Sequence, residues 1–149
     1  MVWGAIGFNG KTDLVIFSGK QKSVDYQQRI WPQLFTYGEK IGSPNLIFQQ
    51  DGCSIHKSNS TMDFLASKNV RLFDWPSLSP DFNIIENVWG EMTRRVYSNG
   101  KQYPKVSDLR AAIFEAWEAI DLEYLQNLFK SMKHRIHDVI ANKGGPSGR

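Results

Sequence analysis

Residues 45–73 of the chain run strand, helix, strand. Asn45 to Gln50 is a short apolar, β-prone segment, Asn59 to Lys68 keeps helical spacing with Met62 and Leu65 facing inward, and Val70 to Phe73 is a second strand. Two strands joined through a helix must pair parallel, because only a long crossover returns the chain to the same end of the sheet. Ligands of such sheets usually gather at the carboxyl ends of the strands. The residue that leaves the first strand is therefore the first candidate for chemistry, and it is Asp51.

The remaining elements build one mixed α/β domain around this unit. Val2 to Phe8 and Thr12 to Phe17 are apolar runs on either side of Asn9-Gly10, a pair suited to a two-residue hairpin turn. Ser23 is expected to cap a helix carrying Tyr26, Ile30, Leu34 and Phe35, bent or interrupted at Pro32 and ended by Gly38 or Gly42. After the turn-rich stretch 75–81, Ile85, Val88, Trp89, Met92 and Val96 keep helical spacing. Ser107 is expected to cap a helix with Leu109, Ile113, Trp117 and Ile120. Asp121 caps another with Leu122, Leu125, Phe129, Met132, Ile136 and Ile140, and the two pair as a helical hairpin. The domain is expected to cover residues 1–143, followed by a flexible tail, 144–149, with no apolar residue to anchor it.

Composition removes several classes of function. No apolar run approaches the ~20 residues that cross a bilayer, so no membrane partner is expected. Cys53 is the only cysteine, so an internal disulfide cannot form. The net charge of +3 is uneven: residues 130–149 carry +4 and the rest −1. A local excess of Lys130, Lys133, Arg135 and Lys143, with Arg94 and Arg95 further upstream, suits phosphate contacts that position DNA without reading its sequence. Ordinary solvated helix faces have the same composition.

A second acid, Glu86, falls on the first turn of the helix after the βαβ unit, beside its apolar face. Two carboxylates flanking one βαβ unit are able to converge on divalent ions and phosphate oxygens. Caps and helix-dipole partners are the ordinary alternative for acids in these places. Asp13, in the second strand of the hairpin, and Asp25, in the first turn of a helix, are read as structural or exposed. Cys53 and His56 have a spacing compatible with two metal ligands, but no second pair completes a structural zinc site. Trp89 and Trp117 fall on apolar helix faces and Trp75 abuts a proline, so all three are assigned to packing rather than to base stacking.

The residues around the two acids carry a more specific signal. Gln49-Gln50-Asp51 with His56, and Ser79-Pro80-Asp81-Phe82-Asn83 followed by Glu86, Asn87 and Trp89, resemble the two signature motifs of mariner-type transposases, and 34 residues separate the acids as in one large branch of that family. The resemblance runs along nearly the whole chain. It implies a ribonuclease-H-like mixed sheet flanked by helices, with Asp51 and Glu86 as the second and third acids of an aspartate, aspartate, glutamate triad that holds two Mg²⁺ or Mn²⁺ ions. The strand bearing the first aspartate is then expected just upstream of Met1, making the chain N-terminally truncated and inactive alone. Pro80, Asp81 and Asn83 would tie the turn before Glu86. His56 would lie near the metals or a phosphate, although a polar residue that merely opens the next helix is the preferred reading. Gly52, Cys53-Ser54-Ile55 and Ile84 depart from the family pattern, where asparagine, a small and proline-containing step, and proline are usual.

The expected function is metal-dependent DNA cleavage and strand transfer in a eukaryotic nucleus, with transposon ends and target DNA as partners and a homodimer possible in the family. The alternative is a catalytically inert, transposase-derived module that binds DNA or protein through its basic helix and needs no metal.

Overall fold

A computed structural model describes residues 1–43, 46–74 and 82–144. Trp75, Pro80, Asp81, Asn45 and the tail from 145 onward lie outside the described residues. The chain forms two units: residues 1–5 with 11–78, and residues 6–10 with 79–149.

In the first unit, β1 (Val2–Trp3) pairs antiparallel with β4 (Val15–Ile16), Val2 opposite Ile16 and Trp3 opposite Val15. In the sequence between them, β2 (Ile6–Gly7) and β3 (Gly10–Lys11) form the expected hairpin, whose residues 6–10 belong to the second unit. Its turn falls at Phe8-Asn9, one residue earlier than the sequence implies, and Gly10 opens β3 at a φ of 140° that a side chain would strain.

Helix α1 (Ser23–Lys40) starts one residue before its expected capped position: Lys22 is the cap residue, and its amide donates to the Asp25 carboxylate at 3.0 Å. Pro32 removes one backbone donor, yet the helix continues through it. Gly38 stays inside the helix, where a Cβ would press on Leu46 at 3.3 Å, and Gly42 follows the end at a φ of 64°.

The βαβ unit forms as expected. Strand β5 (Ile47–Phe48) pairs parallel with β6 (Arg71–Leu72), joined by α2 (Asn59–Ser67). Ser58 caps α2 through the Thr61 amide. The inward face of α2 differs from the apolar expectation: Leu65 is fully buried, but Met62 is exposed and Thr61 takes the buried place. The Thr61 hydroxyl donates to the Ile55 carbonyl at 2.7 Å, which lets a polar side chain replace an apolar one at no loss of a hydrogen bond. The core gathers Trp3, Phe17, Tyr26, Ile30, Leu34, Phe48, Leu65 and Val70.

The second unit contains α3 (Ile85–Val96), a 3₁₀ turn (Ser98–Gly100), α4 (Val106–Glu118) and α5 (Leu122–Ala141). Lys105, not Ser107, precedes α4, and the Ser107 hydroxyl turns to Asp108 instead. Asp121 caps α5 as expected, accepting from the Tyr124 amide at 2.7 Å. Helix α4 packs on α3, where the rings of Trp117 and Trp89 stack at 5.7 Å. Leu125 is buried, whereas Ile136 and Ile140 of the same expected stripe are exposed. Among the described residues no helix is long and apolar enough to cross a membrane.

Candidate metal centre

Asp51 lies three residues beyond β5, past the carboxyl end of the parallel pair, and the loop that follows folds back on its carboxylate. The Cys53 amide donates to Asp51 Oδ1 at 3.0 Å, and His56 Nδ1 lies 2.6 Å from the same oxygen. Burial works against ionisation here. The Cys53 amide, the His56 ring and the Lys57 ammonium outweigh it and hold the Asp51 carboxyl below the usual carboxylate range. The side chain remains 60% exposed, so the ionised group is open to an incoming cation.

Residues outside the motif brace this loop. The Tyr26 hydroxyl donates to Gln50 Oε1 at 3.1 Å, and Gln50 Nε2 donates to the His56 carbonyl at 3.0 Å. The Tyr26 ring also packs on the His56 ring at 4.4 Å. Burial pushes the Tyr26 hydroxyl far above its ordinary range, so it acts as a fixed neutral donor. His56 Nε2 is buried without a hydrogen-bond partner, leaving Nδ1 as the nitrogen that faces Asp51. His56 thus sits against the acid and does more than open α2. The sequence offered no signal for Tyr26 beyond its place on an apolar helix face.

Glu86 occupies the first turn of α3, exposed, with its amide donating to the Asn83 carbonyl at 3.1 Å. The next residue, Asn87, is tied to α5: Arg135 Nη2 donates to Asn87 Oδ1 at 3.0 Å, and the Tyr124 hydroxyl donates to the Asn87 carbonyl at 3.2 Å.

Arg135 is thereby set apart from the other side chains expected to contact phosphate. Arg135 is 7% exposed, and its guanidinium also reaches Ser131, so it is not displayed with the exposed Lys130, Lys133 and Lys143. Arg94 and Arg95 are exposed but both turn to Glu91. A direct consequence is measurable by chemical denaturation. Arg135→Ala is expected to cost about 1–3 kcal/mol through lost packing of the stem and loss of its part-buried hydrogen bonds, while Lys130→Ala and Lys133→Ala stay within about 0.5 kcal/mol. Equal effects at all three positions would contradict the burial of Arg135.

Asp51 in the first unit and Glu86 in the second each offer a carboxylate, the donor type that hard divalent cations such as Mg²⁺ or Mn²⁺ take.

Comparison with known proteins is specific. Residues 1–110 match the family described as DDE superfamily endonuclease, and the chain belongs to it. Within it the mariner-type resemblance holds. The Transposable element Tc3 transposase of Caenorhabditis elegans is 40% identical over 146 residues, spanning 98% of this chain and 44% of that protein. The Tcb1 transposase of Caenorhabditis briggsae is 29% identical over 147 residues, 99% of this chain and 53% of that protein. The chain thus spans about half the length of the curated relatives it matches. The solved Mos1 transposase catalytic domain, described with Raltegravir and Mg, superposes with a TM-score of 0.81 at 14% identity, over 97% of this chain and 75% of that one. A Mos1 paired-end complex with the left transposon end gives 0.83 at 15% identity, over 97% and 44%. The ribonuclease-H-like fold follows.

Proposed function

We propose that this chain supplies two of the metal-binding acids, Asp51 and Glu86, to a transposase catalytic domain that cuts and joins DNA strands. The observation that carries the reading is the state of Asp51: a carboxylate at the carboxyl end of a parallel strand pair, ionised, oriented through one oxygen and open to solvent. The family membership and the names of the relatives support it. Asp51 and Glu86 would hold Mg²⁺ or Mn²⁺. Such ions, when bound, activate the attacking water or 3′ hydroxyl and steady the leaving oxygen. Gln50, His56 and Tyr26 orient Asp51; the Asn83 carbonyl holds the Glu86 amide, and Asn87 ties the start of α3 to α5. Pro80 and Asp81 are assigned the same positioning part from the motif.

DNA is the proposed partner, in the nucleus of a eukaryotic host, and the Mos1 paired-end complexes support pairing of two copies on transposon ends. The exposed Lys130 and Lys133 of α5 and Lys143 beyond it are the proposed phosphate contacts, with Arg94 and Arg95 as further ones. Binding to duplex DNA is expected to weaken linearly with the logarithm of salt, and Lys130→Ala and Lys133→Ala are each expected to lower that slope by about 1. A slope unchanged in the double variant would remove α5 from the DNA interface.

A further inference from the structure

The loop from Asp51 to His56 carries a second kind of metal chemistry. Asp51, Cys53 and His56 each offer one ligand atom, a carboxylate oxygen, a thiol sulfur and an imidazole nitrogen, and these atoms lie within 4.8 Å of one another. Cys53 is exposed and free, and the Asp51 side chain is 60% exposed, so solvent reaches a fourth position. We propose that this loop binds a thiophilic divalent ion of the zinc class through Asp51, Cys53 and the Nδ1 atom of His56.

Ligand type decides the metal. A mixed oxygen, nitrogen and sulfur set suits Zn²⁺ or Co²⁺, whereas Mg²⁺ takes oxygen donors alone. A tetrahedral zinc with bonds of about 2.0–2.3 Å holds its ligands roughly 3.3–3.8 Å apart. Binding therefore opens the present 2.6 Å contact between His56 and Asp51 by about 1 Å and draws on atoms already gathered. The thiol proton leaves to solvent as the thiolate binds. His56 then carries its proton on Nε2, which is buried without an acceptor. Sites lacking that outer partner bind metal about 10–100-fold more weakly than sites that have one, which keeps the ion exchangeable. The site's consequence rests on the proposed function: an Asp51 engaged with zinc is withheld from Mg²⁺, which makes the loop a point of inhibition by thiophilic metals.

The test uses the reduced chain and Co²⁺ as the spectroscopic probe, with no DNA and no cleavage, so its outcome is independent of the transposase reading. A thiolate-to-cobalt charge-transfer band is expected to saturate at one Co²⁺ per chain and to vanish in Cys53→Ala. Affinity should fall at least about tenfold in Asp51→Asn and in His56→Gln, circular dichroism showing both folded. Zn²⁺ should bleach the band, and about a thousandfold excess of Mg²⁺ should not. Absence of the band, saturation at one Co²⁺ per two chains, or affinity indifferent to Asp51→Asn and His56→Gln in the folded variants would each overturn the site.

Discussion

Replacing Trp117 by alanine is expected to lower stability by about 3–5 kcal/mol, the range for emptying a large aromatic site in a packed core. For a chain of this length that corresponds to a fall in Tm of roughly 10–20 °C. Trp117 is fully buried on α4, and its ring stacks on Trp89 of α3 at 5.7 Å, so the change removes a large aromatic contact between those helices. Their packing supports the helix that carries Glu86. Thermal unfolding followed by circular dichroism measures the effect. A base-stacking tryptophan would give the opposite pattern, with Tm unchanged and DNA binding weakened, and that result would contradict the core assignment.

The parallel βαβ unit was legible because its signals are local. Two apolar runs flank a helical spacing, and the crossover rule then leaves one pairing sense, which Ile47 opposite Arg71 and Phe48 opposite Leu72 obey. Asp51 was legible as the residue leaving the first strand, and the surrounding motif sharpened that choice. Errors arose where a distant partner decides. The apolar rule places Met62 inward, but the buried Thr61 finds the Ile55 carbonyl and the Gln27 amide, neither visible in the spacing of α2. Charge counting puts Arg135 with the lysines of α5, whereas its acceptor Asn87 lies 48 residues away. Ile136 and Ile140 keep helical spacing with Leu125 yet are exposed, because periodicity marks a face without saying how far along the helix a partner covers it. The cluster of Asp51, Cys53 and His56 is likewise a product of loop conformation: the sequence shows two ligands at a suitable spacing and lacks the third until the chain turns back.

Loss of either proposed metal-binding acid should affect function far more than stability. Asp51 and Glu86 are both exposed, so Asp51→Asn and Glu86→Gln, which keep side-chain size and remove charge, are expected to leave the fold intact. Two-metal cleavage depends on carboxylates that hold the ions against phosphate oxygens, and removing one electrostatic element of such a site typically costs about 10²–10³-fold or more in rate. DNA binding should persist, because the proposed phosphate contacts reside on other side chains. An inert binding module shares that last property and lacks the first, so cleavage separates the two readings.

The most direct measurement is therefore strand cleavage of DNA by an active transposase that carries this chain in its catalytic domain, comparing wild type with Asp51→Asn and Glu86→Gln in Mg²⁺, in Mn²⁺ and after chelation. The account predicts cleavage by the wild type only with a divalent ion present, and a loss of about 10²–10³-fold or more in each variant at unchanged DNA binding. Cleavage that survives chelation, or a Glu86→Gln or Asp51→Asn variant that cuts at the wild-type rate, would contradict the assignment of these two acids.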